Sequence, residues 1–311
     1  MRGWRSRSTL LLAVPVAVIL LWLVLYPNLF VLADSLRGET GVTLEAYHQF
    51  FSSPSEREAL WNSVWLSAAS VVLSGAIGIP LAFLFSRYDF PGRRLLGGLA
   101  SLPVLLPPLV GVIAFIFLFG ESGFLARGIQ TLLQLEQPPW RLTGASAILL
   151  VHAYTMYVYF FLFTSAGLAR LDPSYSEAAA ALGASRWGTM RRVTLPMLAP
   201  SVLGAALLVF MTSMGSFSSP YVFGCGVRGL TTQVFASRLN GDLTMAAVET
   251  VMLALVCILF LVMLQYYEGK REYTGAGKGT APVVRPVRGR VARVLVPAAA
   301  WLGVGFLLMP H

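Results

Sequence analysis

The sequence predicts an all-α, polytopic membrane protein, and three observations carry that expectation. Hydrophobic residues make up 56% of the 311 and charged residues only 12%, against about 25% charged in ordinary soluble domains. Long apolar runs recur along the chain, most of them near the roughly 20 residues a helix needs to cross hydrocarbon. The basic residues are also divided unevenly between the segments that connect those runs.

Six strong runs cover residues 10–33, 61–85, 95–119, 143–167, 200–217 and 245–267, and a shorter seventh covers 294–309. The first begins after Arg2, Arg5 and Arg7, as a signal peptide would. Its apolar stretch is far longer than the roughly 7–15 residues of such a peptide and lacks a small-residue cleavage site, so it reads as a retained anchor. The loop behind it carries Asp34, Glu39, Glu45, Glu56 and Glu58 against Arg37 and Arg57. With Tyr47, Phe50 and Phe51 it suggests a short amphipathic piece on the outer surface.

The third run opens S-L-P-V-L-L-P-P-L-V-G. Pro103, Pro107 and Pro108 remove backbone donors, which bends or breaks a helix. The sequence leaves two readings open, a bent helix beside a translocation path or a loop-to-helix start at the membrane surface. Ser67, Ser74, Gly78 and Ala82 in the second run, and Ser201, Gly204, Ala205, Thr212 and Gly215 in the fifth, are small residues of the kind that let helices approach closely. His152 in the fourth run reads as a packing histidine with its partners met. Glu249 sits near the outer end of the sixth run, either as a functional group or reaching the headgroups. The stretch M-G-S-F-S-S-P-Y-V-F-G-C-G-V-R-G-L between runs five and six predicts non-helical backbone. The candidates for a solute pathway are Pro107, Pro108, Ser213, Ser216 and Glu249.

Orientation follows from the basic residues near the span ends. With the N-terminus in the cytoplasm, 17 of the 23 Lys and Arg fall in cytoplasmic segments and 6 in outer loops. The positive charge is thus membrane-orienting, and nucleic acid is not an expected partner.

The segment between runs four and five then faces the cytoplasm. Asp172 suits an N-cap and Pro173 the first helical position, where its missing N–H costs nothing. Tyr175, Ala178, Ala179 and Leu182 share one helical face. Gly183 permits the positive φ that ends a helix sharply. Ser185 suits the cap of a second short helix with Arg186, Trp187, Met190, Arg191 and Arg192, before Leu195 and Pro196. An interfacial helix that merely connects two spans has the same local design.

E-A-A, three residues, Gly, nine residues, Val193, one residue and Leu-Pro resembles the signature loop of permease subunits of binding-protein-dependent ABC importers of the type I fold. Glu177, Ala178, Ala179, Gly183, Leu195 and Pro196 match, Val193 stands for a usual Ile, and the resemblance covers about 61–265. It implies that the coupling helix at 173–193 docks into a groove on a cytoplasmic ATPase. Glu177, Ala178, Ala179, Leu182, Gly183, Arg186 and Trp187 would make that contact, with Leu195 and Pro196 leading into span five. It further implies ABC ATPase subunits, an extracytoplasmic solute-binding protein, a second permease half or homodimer, and a bacterial inner membrane.

G-A-G-K-G-T at 275–280 is a failed phosphate loop, because Glu272 stands where a glycine is required and Gly279 where Ser or Thr would hold Mg²⁺. ATP hydrolysis is therefore expected on another chain, so this one is no enzyme and needs no cofactor. Cys225 and Cys257 support no disulfide framework or metal cluster. Residues 1–60 read as anchor helix and outer loop, 61–267 as the permease core, and 268–293 as a basic cytoplasmic linker. Residues 294–311 repeat the Val-Pro opening and terminal Pro of the first run, as the first helix of a second permease half would. The loop between runs five and six also resembles that of ferric-iron permeases. Ferric iron is thus the favoured solute over thiamine, polyamine, phosphonate or oxyanion. A secondary transporter or a non-transporting scaffold are the rival classes.

Overall fold

A computed structural model describes residues 14–16, 18–38, 41–269, 285–286 and 290–309. The helices are α1 (Val14–Ser35), α2 (Glu45–Ser52), α3 (Pro54–Arg87), α4 (Arg93–Leu99), α5 (Pro108–Phe119), α6 (Phe124–Leu132), α7 (Gly144–Arg170), α8 (Pro173–Ala181), α9 (Arg186–Thr189), α10 (Leu195–Met214), α11 (Ser218–Phe223), α12 (Leu230–Leu239), α13 (Leu243–Gly269) and α14 (Arg290–Leu308). Two pairs of two-residue strands, a 3-10 turn at Leu102–Leu105 and a π-helical turn at Met190–Thr194 are the remaining regular structure among the described residues. Six helical stretches there are long and apolar enough to cross a membrane, which bears out the all-α polytopic expectation. The basic start, most of the linker and the failed phosphate loop lie outside the described residues. The chain divides into two compact units, residues 1–61 with 228–256, and 62–227 with 257–311.

In the first unit α1 keeps its apolar side chains exposed, the surface a helix shows to lipid. Amphipathic α2 buries Phe50 against Leu230, Met245, Val248 and Met252. Full burial of such a ring stabilises by about 1.5–3 kcal/mol. Ser35 and Tyr47 share a hydroxyl hydrogen bond of 2.8 Å, which ties the end of α1 to α2.

The second unit is organised around α7. Two-thirds of its most apolar window is buried, against a third or less for the other membrane-length helices. Small residues allow this approach: a Cβ on Gly78 would run into the Tyr157 carbonyl, and one on Gly167 would meet Ser201 Oγ at 2.6 Å. Tyr157 donates its hydroxyl to the Ala100 carbonyl at 2.9 Å, and Phe85 stacks edge-on against Phe161. α14 buries Ala300, Val304 and Leu307 in the same core and lays Trp301 over Gly92.

Three boundaries differ from expectation. The third run is broken, with a 3-10 turn at Leu102–Leu105 and extended backbone at Leu106, and the membrane-length stretch begins at Pro108. A residue before proline is barred from the helical region, and Pro108 restarts the helix from its first position. The fifth span starts earlier than 200, because helical backbone runs unbroken from Arg186 to Met214. A π-helical turn at Met190–Thr194 widens the backbone just where the Pro196 ring would meet a carbonyl. The loop after α10 is not wholly irregular, since α11 forms within it with Pro220 in its first turn, where no donor is lost.

Candidate functional site

The loop between α7 and α10 is built by local rules. Asp172 accepts the Ser174 backbone N–H at 2.9 Å and Pro173 opens α8. That hydrogen bond holds the Asp172 carboxyl below its ordinary range. At the other end Gly183 has φ 78°. The Ala184 N–H donates to the Ala179 carbonyl and the Gly183 N–H to the Ala180 carbonyl, both at 3.0 Å. These are the paired bonds of a Schellman ending, which needs a residue comfortable at positive φ. Ser185 Oγ then accepts the Gly188 N–H at 3.1 Å and caps α9.

This rigid turn presents rather than hides its apolar residues. Leu182 is 88% exposed and Trp187 69%, and Tyr175, Glu177, Ala178 and Arg186 are exposed too, with Ala179 half-buried. Beside them an open depression of about 550 Å³ is lined by Ser185, Trp187, Gly188, Arg191 and Arg192. Arg87 at the end of α3 reaches Met190 Sδ at 3.7 Å and ties the loop to α3 within the second unit. Leu195 and Pro196 form the first turn of α10, continuous with the loop.

The pathway candidates are divided between the two units. Pro107 and Pro108 are exposed at the break before α5. Ser213 and Ser216 meet at His152, which is buried. His152 Nδ1 lies 3.0 Å from Ser70 Oγ and 3.1 Å from Ser213 Oγ, and Nε2 lies 3.1 Å from Ser216 Oγ. Ser70 commits its proton to the Leu66 carbonyl at 2.7 Å. Glu249 belongs to the first unit, is wholly buried, and accepts the Ser237 hydroxyl at 2.7 Å. Sequence reasoning passed over Ser70, Glu56, Gln233 and Ser237 as partners. The helical spacing of Ser63, Ser67, Ser70 and Ser74 in an apolar run is the signal from which Ser70 could have been found. Among the described residues no group of three His, Cys, Asp or Glu is placed to hold a metal ion.

Comparison with known proteins places this arrangement. A family model described as "Binding-protein-dependent transport system inner membrane component" matches residues 74–273. "Probable ABC transporter permease protein y4fN" of Sinorhizobium fredii is 32% identical over 268 residues, covering 86% of this chain and 47% of its own length. The chain thus spans about half of that relative. "Molybdenum transport system permease protein ModB" of Mycobacterium bovis is 30% identical over 218 residues, 68% of this chain and 79% of its own. Further relatives carry names for spermidine/putrescine, ferric and sulfate transport systems. In solved structures, a chain of a bacterial alginate ABC transporter, determined in complex with an alginate pentasaccharide-bound periplasmic protein, superposes with a TM-score of 0.69 at 18% identity. The match covers 88% of this chain and 100% of that one, and shows the shared fold. With the family model spanning well over half of its length, the chain belongs to the family of binding-protein-dependent transport system inner membrane components.

Proposed function

We propose that this chain is the membrane-spanning permease part of an ATP-driven importer, with the loop from Glu177 to Arg192 as the element a cytoplasmic ATPase grips. The observation that carries this reading is a short helix capped at both ends that leaves Leu182 and Trp187 in the open. A connector that merely rejoined two spans would gain by burying them. In this reading the N-terminus is cytoplasmic, Glu177, Ala178, Ala179, Leu182, Gly183, Arg186 and Trp187 contact the ATPase, and Leu195 and Pro196 carry its movement into α10. An extracytoplasmic binding protein delivers the solute and two ATPase subunits drive the cycle. Residues 61–267 serve as the permease core, and 294–311 as the first helix of a second permease half. The doubled length of y4fN supports that last assignment.

Ferric iron is the solute we favour. A relative named "Ferric transport system permease protein FbpB", from Actinobacillus pleuropneumoniae, is 25% identical, and this chain covers only 36% of it, so that it too is much longer, like y4fN. The ModB likeness favours an oxyanion instead. Uptake of labelled ferric iron and of molybdate, measured in cells with and without the gene, separates the two. For the docking role, Gly183→Asp and Glu177→Lys should abolish most uptake and ATPase co-purification while membrane insertion stays intact. Unchanged uptake in both variants overturns the docking role, and a Trp187→Cys variant labelled only from outside intact cells overturns the orientation.

A further inference from the structure

Glu56 on the first turn of α3 and Glu249 on α13 are held in the first unit by donors one turn apart on α12, Gln233 and Ser237. Each carboxyl has one oxygen supplied by a neutral donor. Glu249 Oε1 accepts the Ser237 hydroxyl at 2.7 Å, and Glu56 Oε1 accepts the Gln233 side-chain amide at 3.1 Å. The donors around them are already committed: Gln233 Nε2 also reaches Ser55 Oγ at 2.9 Å, and Arg228 Nη1 donates to the same hydroxyl at 2.6 Å. Both remaining oxygens, Oε2 of Glu56 and Oε2 of Glu249, are buried, and no donor among the described residues reaches either.

Two ionised carboxylates in contact repel, and a buried acceptor without a donor carries the full cost of its lost hydration. One hydrogen between them removes both penalties, because a protonated carboxyl donates where a carboxylate only accepts. A metal ion fits less well, since no third His, Cys, Asp or Glu among the described residues completes such a group. We propose that Glu56 and Glu249 hold a single proton between them at neutral pH and that this O–H···O bond is a clasp fastening the start of α3 to α12 and α13. Release of the proton leaves two negative charges face to face and opens the clasp.

The charged groups nearby set its field. Arg228 acts on Glu56 and Asp242 on Glu249. Asp242 is engaged in capping α13 through the Met245 N–H at 2.9 Å. Arg57 and Glu58 on α3, Arg238 on α12, and Glu45 and His48 on α2 are exposed to the surroundings instead.

The test is infrared spectroscopy of the purified full chain in detergent at pH 7. A protonated-carboxyl stretch that shifts in D₂O is expected in the wild type and should be lost in both Glu249→Gln and Glu56→Gln, where the amide supplies the missing N–H. No such band in the wild type, or its survival in both variants, overturns the shared proton. Manganese binding that either variant abolishes also overturns it, in favour of a cation. Hydrogen exchange across α12 and residues 54–60 reads the clasp. Protection, taken as exchange corrected for its intrinsic base catalysis, should fall in the wild type as rising pH removes the band and stay flat in Glu249→Gln, and wild-type protection that does not change when the band disappears sinks the clasp. Two single variants keep the test decisive if one of them fails to fold.

Discussion

Two buried polar clusters sit in this apolar chain, and they close their hydrogen bonds differently. Around His152 every ring nitrogen finds a hydroxyl, from Ser70, Ser213 or Ser216. Either neutral tautomer is satisfied. With the proton on Nε2, Ser216 accepts and Ser213 donates to Nδ1; with it on Nδ1, Ser70 or Ser213 accepts and Ser216 donates. Around Glu249 and Glu56 the neutral donors run out, and two buried oxygens are left without a donor. The first cluster joins α3, α7 and α10 by groups that can stay uncharged. The second requires something to be added. A polar group inside a bundle is thus not one kind of feature: hydroxyls around an imidazole can act as glue, whereas paired carboxylates demand an occupant.

The largest effect should come from removing the hub of the glue. His152→Ala leaves a cavity and strips three serines of their shared partner. Interhelical hydrogen bonds in membrane bundles contribute about 0.6 kcal/mol each on average, and truncating a large buried side chain adds a cavity cost, so a total of about 3–4 kcal/mol is expected. Reversible unfolding in mixed micelles measures it. A loss below about 1 kcal/mol, within the range of an ordinary surface substitution, would erase the contrast by showing that the ring holds nothing together.

Second in size is Glu249→Leu, which takes the acceptor from Ser237 and leaves the buried Oε2 of Glu56 with no group that could supply a hydrogen. A loss of about 2–3 kcal/mol is expected by the cost of an orphaned buried polar group. Glu249→Gln should stay within about 1 kcal/mol of the wild type, since an amide donates to Glu56 and still accepts from Ser237. The gap between the two substitutions sharpens the comparison. If Gln is as damaging as Leu, the cluster depends on negative charge and not on a donor.

The same contrast explains how far the sequence could be read. Span number, the six-helix plan and the cap chemistry of the α7–α10 loop were legible, because Asp172, Pro173, Gly183 and Ser185 act through their own backbone neighbours. Which helix lies deepest was not. α7 is the most buried of the membrane-length helices and also the least apolar, while α13 is the most apolar and has only 28% of its most apolar window buried. In lipid the outside of a bundle is as greasy as its inside, so apolar content does not rank burial. Glu249 was conspicuous as an acidic residue in an apolar run, yet its partner Glu56 lay in an acidic loop where nothing marked it as buried. The break at Pro107 was expected only as one of two readings, because the sequence shows which donors are missing but not where the chain turns.

The smallest prediction tests the wiring of the histidine cluster. Ser70 spends its proton on the Leu66 carbonyl of its own helix. It can therefore only accept, from His152 or from Ser213, whose hydroxyl lies 3.3 Å away. Ser213 keeps its proton free for either. Ser213→Ala should remove the single donor available to Nδ1 and force the proton there, whereas Ser70→Ala should leave Ser213 to serve Nδ1 alone. Both cost little, about 0.6 kcal/mol by the average for such bonds, so stability will barely separate them. The ¹⁵N shifts of the imidazole will, by reporting which nitrogen carries hydrogen. Identical tautomer populations in the two variants would mean that the hydroxyls do not orient the ring. His152 would then be held by packing alone, and the distinction between glue and occupied site would rest on the carboxylates.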